Sequence, residues 1–233
     1  MTARHHPLPE HSVRRFPSVP AAGQRAAWTL VLPLKPLALA KSRLAEATGP
    51  LRPELALAFA LDTVAAALRS RTVARALVVT DDPLAAAQLA ALGALVVADF
   101  PAAGLNAALA HGVEVARSAH GAGSVAAMSA DLPALRPQEL DQVLTAAAAY
   151  PRAFLADTQL VGTTVLTAAS GTALAPDFGG TSRLRHAASG AYELTLRDVP
   201  SIRRDVDTPD DLRAALRLGT GPQTAALAPL VRL

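Results

Sequence analysis

Short, continuous apolar runs alternate with alanine-rich segments of helical length, and this alternation constrains the fold more than any other feature of the chain. WTLVLPL (28–34), RALVVT (75–80), ALVVAD (94–99) and SVAAMSAD (124–131) read as strands buried on both faces, since neither face shows a polar alternation. PELALAFALDTVAAALRS (53–70), PLAAAQLAALG (83–93), GLNAALAHGVEVARSAH (104–120) and PQELDQVLTAAAAY (137–150) have the length and composition of helices. Pro53 suits a first turn and Gly93 a helix end. The order βαβαβαβα predicts a single α/β domain of Rossmann-like type, a mostly parallel sheet flanked by helices. Beyond residue 150 the pattern loosens. AFLAD and TTVLTA read as strands, TSRLRHAASG as a helix, YELTLRDV as a strand and TPDDLRAALRL as a last helix. The domain is expected over 27–218, with a flexible basic extension at 1–26 and a tail at 219–233.

Aromatics are only 3% of residues while the hydrophobic share is 51%, so the core must be alanine, leucine and valine. The absence of cysteine excludes disulfides, thiolate metal sites and cysteine nucleophiles, and fits a reducing cytoplasm. No apolar run reaches the ~18 residues of a membrane span without proline, glycine or charge. The first 25 residues carry four arginines and no apolar segment of a secretory signal. The net charge of +3 comes without basic runs interleaved with aromatics, so nucleic acid is not the expected partner. GxSxG, HExxH and a dinucleotide GxGxxG are absent, which argues against hydrolase, zincin and dehydrogenase chemistry.

Lysine is used only twice, as Lys35 and Lys41 in LPLKPLALAKSRL (32–44); the other 20 basic residues are arginines. An ammonium is a compact point charge, which a tight phosphate site accepts more readily than the planar guanidinium fork. In open α/β sheets ligands bind outside the carboxyl ends of strands. Asp81, Asp82, Asp99, Asp131 and Asp157 all fall at such ends, and Asp205 and Asp207 form the DVD of RRDVDTPDDL. Asp82 before Pro83, and the Asp207-Thr208-Pro209 run, also suit helix N-caps. In an extended stretch Asp205 and Asp207 point to one side. Either a hard divalent cation such as Mg²⁺ or the neighbouring Arg203 and Arg204 must offset their repulsion. DFGGTSRLRH (177–186) is a glycine turn feeding a helix, a generic anion site. His186 there has no second histidine at helical spacing, so a helix-surface or hydrogen-bonding role is expected.

A lysine pair after the first strand, acids at strand ends and an anion turn together suit nucleotidyl transfer. Lys35, Lys41 and Arg43 would hold a triphosphate and the departing pyrophosphate. Mg²⁺ on Asp131, Asp205 and Asp207 would clamp the reacting oxygens.

LPLKPLALAKSRL, VVTDDP, GLNAAL, ADLPAL, GTTVL, FGGTSRLRH and DVDTPDDL occur in an order that resembles one family. It is the phosphoenolpyruvate/2-phospho-L-lactate guanylyltransferases of coenzyme F-420 biosynthesis, and the resemblance covers about residues 28–217. It implies the nucleotidyltransferase-type α/β fold, GTP and Mg²⁺ as nucleotide and metal, and phosphoenolpyruvate or 2-phospho-L-lactate as acceptor, with 3-phosphoglycerate as a further option. A downstream transferase of the pathway is an implied partner. The family's metal-binding acids fall on Asp131, Asp205 and Asp207, and its acceptor-binding residues on Thr164, Gly179 and Ser182, with Thr163 an equally placed neighbour. FGGTS departs from the family's FGxGS at Thr181, which a positive φ would strain. Asn106, Asp82 and Asp99 are the candidates for reading guanine. Sugar-phosphate and molybdopterin nucleotidyltransferases usually carry a GGxxxRM loop after the first strand, whereas LPLKPLALAKSRL has no glycine. A non-catalytic nucleotide-binding protein would keep the fold and lose the acids.

Overall fold

The computed structural model describes residues 27–232. The extension expected at 1–26 lies outside the described residues. The strands are β1 (Trp28–Pro33), β2 (Val73–Val79), β3 (Leu95–Val97), β4 (Ser124–Met128), β5 (Arg152–Ala156), β6 (Thr163–Ala168) and β7 (Tyr192–Glu193). The helices are α1 (Ala45–Thr48), α2 (Arg52–Leu68), α3 (Pro83–Ala91), α4 (Leu105–Ser118), α5 (Pro137–Ala147), α6 (Ser182–Ala188), α7 (Pro209–Leu218) and α8 (Pro222–Leu227). None is long and apolar enough to cross a membrane.

The strands form one sheet in the order β3-β2-β1-β4-β6-β5-β7. β1 pairs parallel with β2 and β4, β2 with β3, and β5 with β7. β6 alone is reversed, pairing antiparallel with β4 and β5. Only residues 157–162 join β5 to β6, too short a link for a parallel crossover, so the two must form a hairpin. The sheet is mostly parallel, as expected, with one strand inverted beside β4.

Alternate residues of each central strand serve different cores. Leu30, Leu32, Val78, Ala126 and Met128 pack with α2, α3 and α5 on one face. Val31, Leu77, Val79, Val125 and Ala127 pack with α4 on the other. Fully burying a leucine or valine side chain contributes about 1.5–3 kcal/mol, so both faces pull the strands into the centre. α4 approaches the sheet closely at Gly112, where a Cβ would lie 2.5 Å from Val31 Cγ1 and 2.7 Å from Val79 Cγ2.

The C-terminal segment expected as a tail is docked on the domain. Asp62 of α2 accepts the Gln223 and Thr224 N–H groups at the start of α8, at 3.1 and 2.8 Å. Gly221 N–H donates to the Pro133 carbonyl at 2.8 Å. Leu227 and Val231 cover the cluster of Leu44, Leu55, Phe59 and Val206. The last expected strand, YELTLRDV, shrinks to the pair Tyr192–Glu193. Beyond it Arg203 instead occupies the Leu194 and Leu196 carbonyls.

Candidate active site

The carboxyl ends of β1 and β4 and the amino end of the reversed β6 meet at one rim of the sheet. After β1 the chain makes a tight turn, in which Leu39 and Ala40 N–H groups donate to the Pro36 carbonyl, and arrives at Lys41. Lys41 sits in the left-handed region, φ 54° and ψ 41°, immediately before a short 3-10 turn at Ser42–Leu44. Its side chain turns inward, only 11% exposed. Nζ donates to Asp131 Oδ2 and, at 2.9 Å, to Asp207 Oδ1. Burial works to lower the Lys41 pKa, but Asp131 and Asp207 outweigh it and hold the ammonium above the usual lysine range.

The loop after β4 brings in Asp131, and the segment before α7 brings in Asp205 and Asp207. The two are stitched together by the Val206 N–H, which donates to the Asp131 carbonyl at 3.1 Å. Val206 is buried between the two half-buried aspartates, and the Asp205 carboxylate feels the charges of Asp131 and Asp207. The adjacent arginines do not neutralise them. Arg204 pairs with Asp211 at 3.5 Å, and Arg203 is taken up by the carbonyls of Ala156, Leu194 and Leu196. Arg43, exposed, reaches Asp207 at 3.9 Å. Lys35 is exposed, and its charge is felt at Asp207. Burial raises the Asp207 pKa, but Lys41, Arg43 and Lys35 together hold it below the usual carboxylate range. Burial, and then the carboxylates of Asp131, Asp207 and Asp157, push Asp205 up to about 7 against the pull of Lys41.

Among the described residues no three acidic or histidine side chains are gathered as a ready ion cage. Lys41 stands between Asp131 and Asp207 instead. The donors nonetheless fit a hard divalent cation. Asp131 Oδ1 is buried with no hydrogen-bond partner, and Asp205, itself largely buried, feels the charges of Asp131 and Asp207 beside the single ammonium of Lys41.

The residues that the resemblance assigns to the acceptor lie on β6 and in the turn before α6. Thr164 is fully buried and its Oγ1 has no hydrogen-bond partner. Thr163 is spoken for, because its hydroxyl lies 2.9 Å from His186 Nδ1. That separates the two threonines the sequence left equivalent. Gly179 and Gly180 take φ +98° and +46°, while Thr181 has φ −81° and carries no strain. Ser182 is the first, buried residue of α6. His186 is not on the helix surface; it is wholly buried, and its Nε2 accepts the Asp177 N–H at 3.1 Å. Burial, then the charges of Arg152 and Arg185, push its pKa down to about 4 against the pull of Asp177.

Three other sequence candidates prove to be spent on the scaffold. Asn106 uses both ends of its amide on the Phe178 backbone, Nδ2 to the carbonyl at 3.2 Å and Oδ1 from the N–H at 2.8 Å. It holds the glycine turn in place and is not free to read a base. Asp157 caps the β5–β6 turn through the Val161 and Gly162 N–H groups. Asp81 accepts the Asp99 N–H at 2.9 Å, tying the ends of β2 and β3.

Thr63 is a site-supporting residue that sequence reading passed over. Its hydroxyl donates to the Phe59 carbonyl and accepts the Leu132 N–H at 3.0 Å, fixing the peptide after Asp131. The available signal was a hydroxyl in the middle of an otherwise apolar helix.

Residues 56–205 match the family model of the MobA-like NTP transferase domain. A phosphoenolpyruvate guanylyltransferase of Thermomonospora curvata is 64% identical over 201 residues, spanning 86% of this chain and 88% of that protein. Another, from Streptomyces coelicolor, is 63% identical over 202 residues, spanning 86% and 95%. Among solved structures, a nucleotidyl transferase from Methanothermobacter thermautotroptrophicus matches with TM-score 0.59 at 20% identity, covering 82% of this chain and 97% of that one. A 4-diphosphocytidyl-2C-methyl-D-erythritol synthase from Anaerococcus prevotii matches with TM-score 0.55 at 10% identity, covering 87% and 96%. These two likenesses are of fold.

Proposed function

The chain belongs to the MobA-like NTP transferases and to the phosphoenolpyruvate guanylyltransferase family, and from this premise we propose that it transfers GMP from GTP to phosphoenolpyruvate, releasing pyrophosphate. A phosphate oxygen of phosphoenolpyruvate attacks the α-phosphorus of GTP. The bond from that phosphorus to the α–β bridging oxygen breaks, and pyrophosphate leaves with the electron pair. The attacking phosphate is ionised near neutral pH, so no side-chain base is needed. The obstacle is bringing two polyanions together, which calls for placed cations and alignment.

The observation that carries the reading is Lys41, held by Asp131 and Asp207 at the strand ends in front of an unpartnered Asp131 oxygen. Lys41, Lys35 and Arg43 face the triphosphate and the departing pyrophosphate. Asp131, Asp205 and Asp207 hold Mg²⁺, which when bound offsets phosphate charge. Thr164, Gly179 and Ser182 hold the acceptor. The product is a mixed anhydride of GMP and an enolpyruvyl phosphate, an activated donor for a downstream transferase. The resemblance of the motif series supports reading that step as part of coenzyme F-420 biosynthesis, and the lack of cysteine fits a cytoplasmic setting.

The test is mass spectrometry of a reaction containing the purified chain, GTP, phosphoenolpyruvate and Mg²⁺. A guanylylated phosphoenolpyruvate is expected. A guanylylated product formed with 2-phospho-L-lactate and none with phosphoenolpyruvate would overturn the acceptor assignment.

A further inference from the structure

The loop that carries both lysines is braced by a side chain from another element. Asp82 follows β2 and caps α3, with Oδ1 accepting the Leu84 and Ala85 N–H groups at 3.1 and 3.0 Å. Its other oxygen, Oδ2, accepts the Leu37 N–H at 2.9 Å across 45 residues of sequence. Leu37 is buried and lies between Lys35 and Lys41. On the far side of the turn, Arg52 donates to the carbonyls of Ala38, at 2.7 Å, and Ala40. The loop's peptides are therefore gripped from both sides, by a carboxylate on an N–H and by a guanidinium on two carbonyls. Asp82 N–H in turn donates to Thr80 Oγ1 at 3.1 Å, which fixes the aspartate itself.

We propose that Asp82 is a positioning residue for nucleotidyl transfer, one oxygen capping α3 and the other locking the 34–41 loop so that Lys41 is presented to the phosphates. The inference rests on the reading of this loop as the triphosphate loop. Asp82 touches no substrate. It acts through the Leu37 peptide on a loop with no glycine, whose Lys41 must be kept in a left-handed conformation that a lysine does not choose unaided. A cap requires one oxygen and a brace requires the second, so aspartate does both where serine, asparagine or threonine serves only the first.

That division supplies the test. Asp82→Ser keeps a cap oxygen and loses the brace. Asp82→Asn keeps the size, but its amide offers one acceptor where two are needed. The chain has only two lysines, and Lys35 precedes Pro36, so a lysine-specific endoprotease has one good target, the Lys41–Ser42 bond. Cleavage there reports opening of this loop alone. In both variants we expect cleavage about tenfold faster than in the native chain, the equivalent of one charge-assisted hydrogen bond. We also expect a kcat/KM for GTP lower by about the same factor, and in Asp82→Ser, which keeps the cap, a melting temperature lower by only about 3–5 °C. Unchanged cleavage at Lys41 would overturn the proposal. So would a faster cleavage matched by an equal rise at arginine sites elsewhere, because Asp82 would then be a helix cap alone. If the native chain transferred no GMP, the functional reading would fail, while the protease measurement would still decide whether the brace exists.

Discussion

Lys41 Nζ lies 2.9 Å from Asp207 Oδ1 and also binds Asp131, so one ammonium joins carboxylates 90 and 166 residues away in sequence. The geometry suits a point charge. A guanidinium is wider and would have to displace one of the two aspartates. Lys41→Arg is therefore expected to keep the charge and lose function. The kcat for pyrophosphate release should fall about 100-fold, in the range seen when a single placed charge-stabilising donor is removed. Steady-state kinetics at saturating GTP measure this, and a variant within threefold of native would contradict the point-charge argument.

Asp131→Asn retains the shape of the side chain and removes its charge. The Asp131 carbonyl, which holds Val206 N–H, belongs to the backbone and is untouched. Turnover should be lost while the circular-dichroism melting curve stays close to native. Normal turnover would remove Asp131 from the metal-holding set.

Gly112 sits in the middle of α4, where helix propensity alone favours alanine by about 1 kcal/mol. Against that, the new Cβ would lie 2.5 and 2.7 Å from methyl groups of Val31 and Val79, and overpacking of this kind costs about 1–3 kcal/mol or more. The clash is the larger effect. Gly112→Ala should lower the urea unfolding free energy by about 1–2 kcal/mol, and a stabilised variant would mean that α4 has room to withdraw from the sheet.

His186 couples the glycine turn before α6 to pH. Its pKa in the folded chain is pushed down to about 4 from an ordinary 6.5, so between those values the unfolded chain binds a proton that the folded chain refuses. Its contribution is complete above pH 6.5 and is lost as pH falls toward 4. The loss amounts to at most about 3 kcal/mol. Protonating Nε2 would also remove the acceptor for the Asp177 N–H. Urea unfolding at pH 7.5 and pH 4.5 should show the drop in the native chain and a smaller one in His186→Gln. Equal drops in both would assign the acid sensitivity to other groups.

How far the sequence could be read depended on whether the determining contact was local. β1, β2 and β4 were legible because strands buried on both faces leave unbroken apolar runs. The nearness of Asp131, Asp205 and Asp207 follows from the end of β4 and the i, i+2 spacing, both of which are local. Residues 222–227 read as part of a tail because a six-residue helix opening on Pro222 has little local signal, and what holds it is Asp62, some 160 residues earlier. Asn106 looked free because its partner, the Phe178 peptide, lies 72 residues on. Asp82 was recognised as a cap, which is a local role; its second oxygen answers to Leu37, which is not. The reversed direction of β6 was implicit in the short β5–β6 link, a limit on chain length that a periodicity pattern does not express.

The central claim is GMP transfer from GTP to phosphoenolpyruvate at the Lys41–Asp131–Asp207 centre. The most direct test is pyrophosphate release with Mg²⁺, pairing each of the four nucleoside triphosphates with phosphoenolpyruvate, 2-phospho-L-lactate and 3-phosphoglycerate. A downstream transferase is added to draw the equilibrium forward. Release confined to GTP with phosphoenolpyruvate is the predicted result. Silence across the grid with the downstream enzyme present, or release with a different pair, would contradict the account.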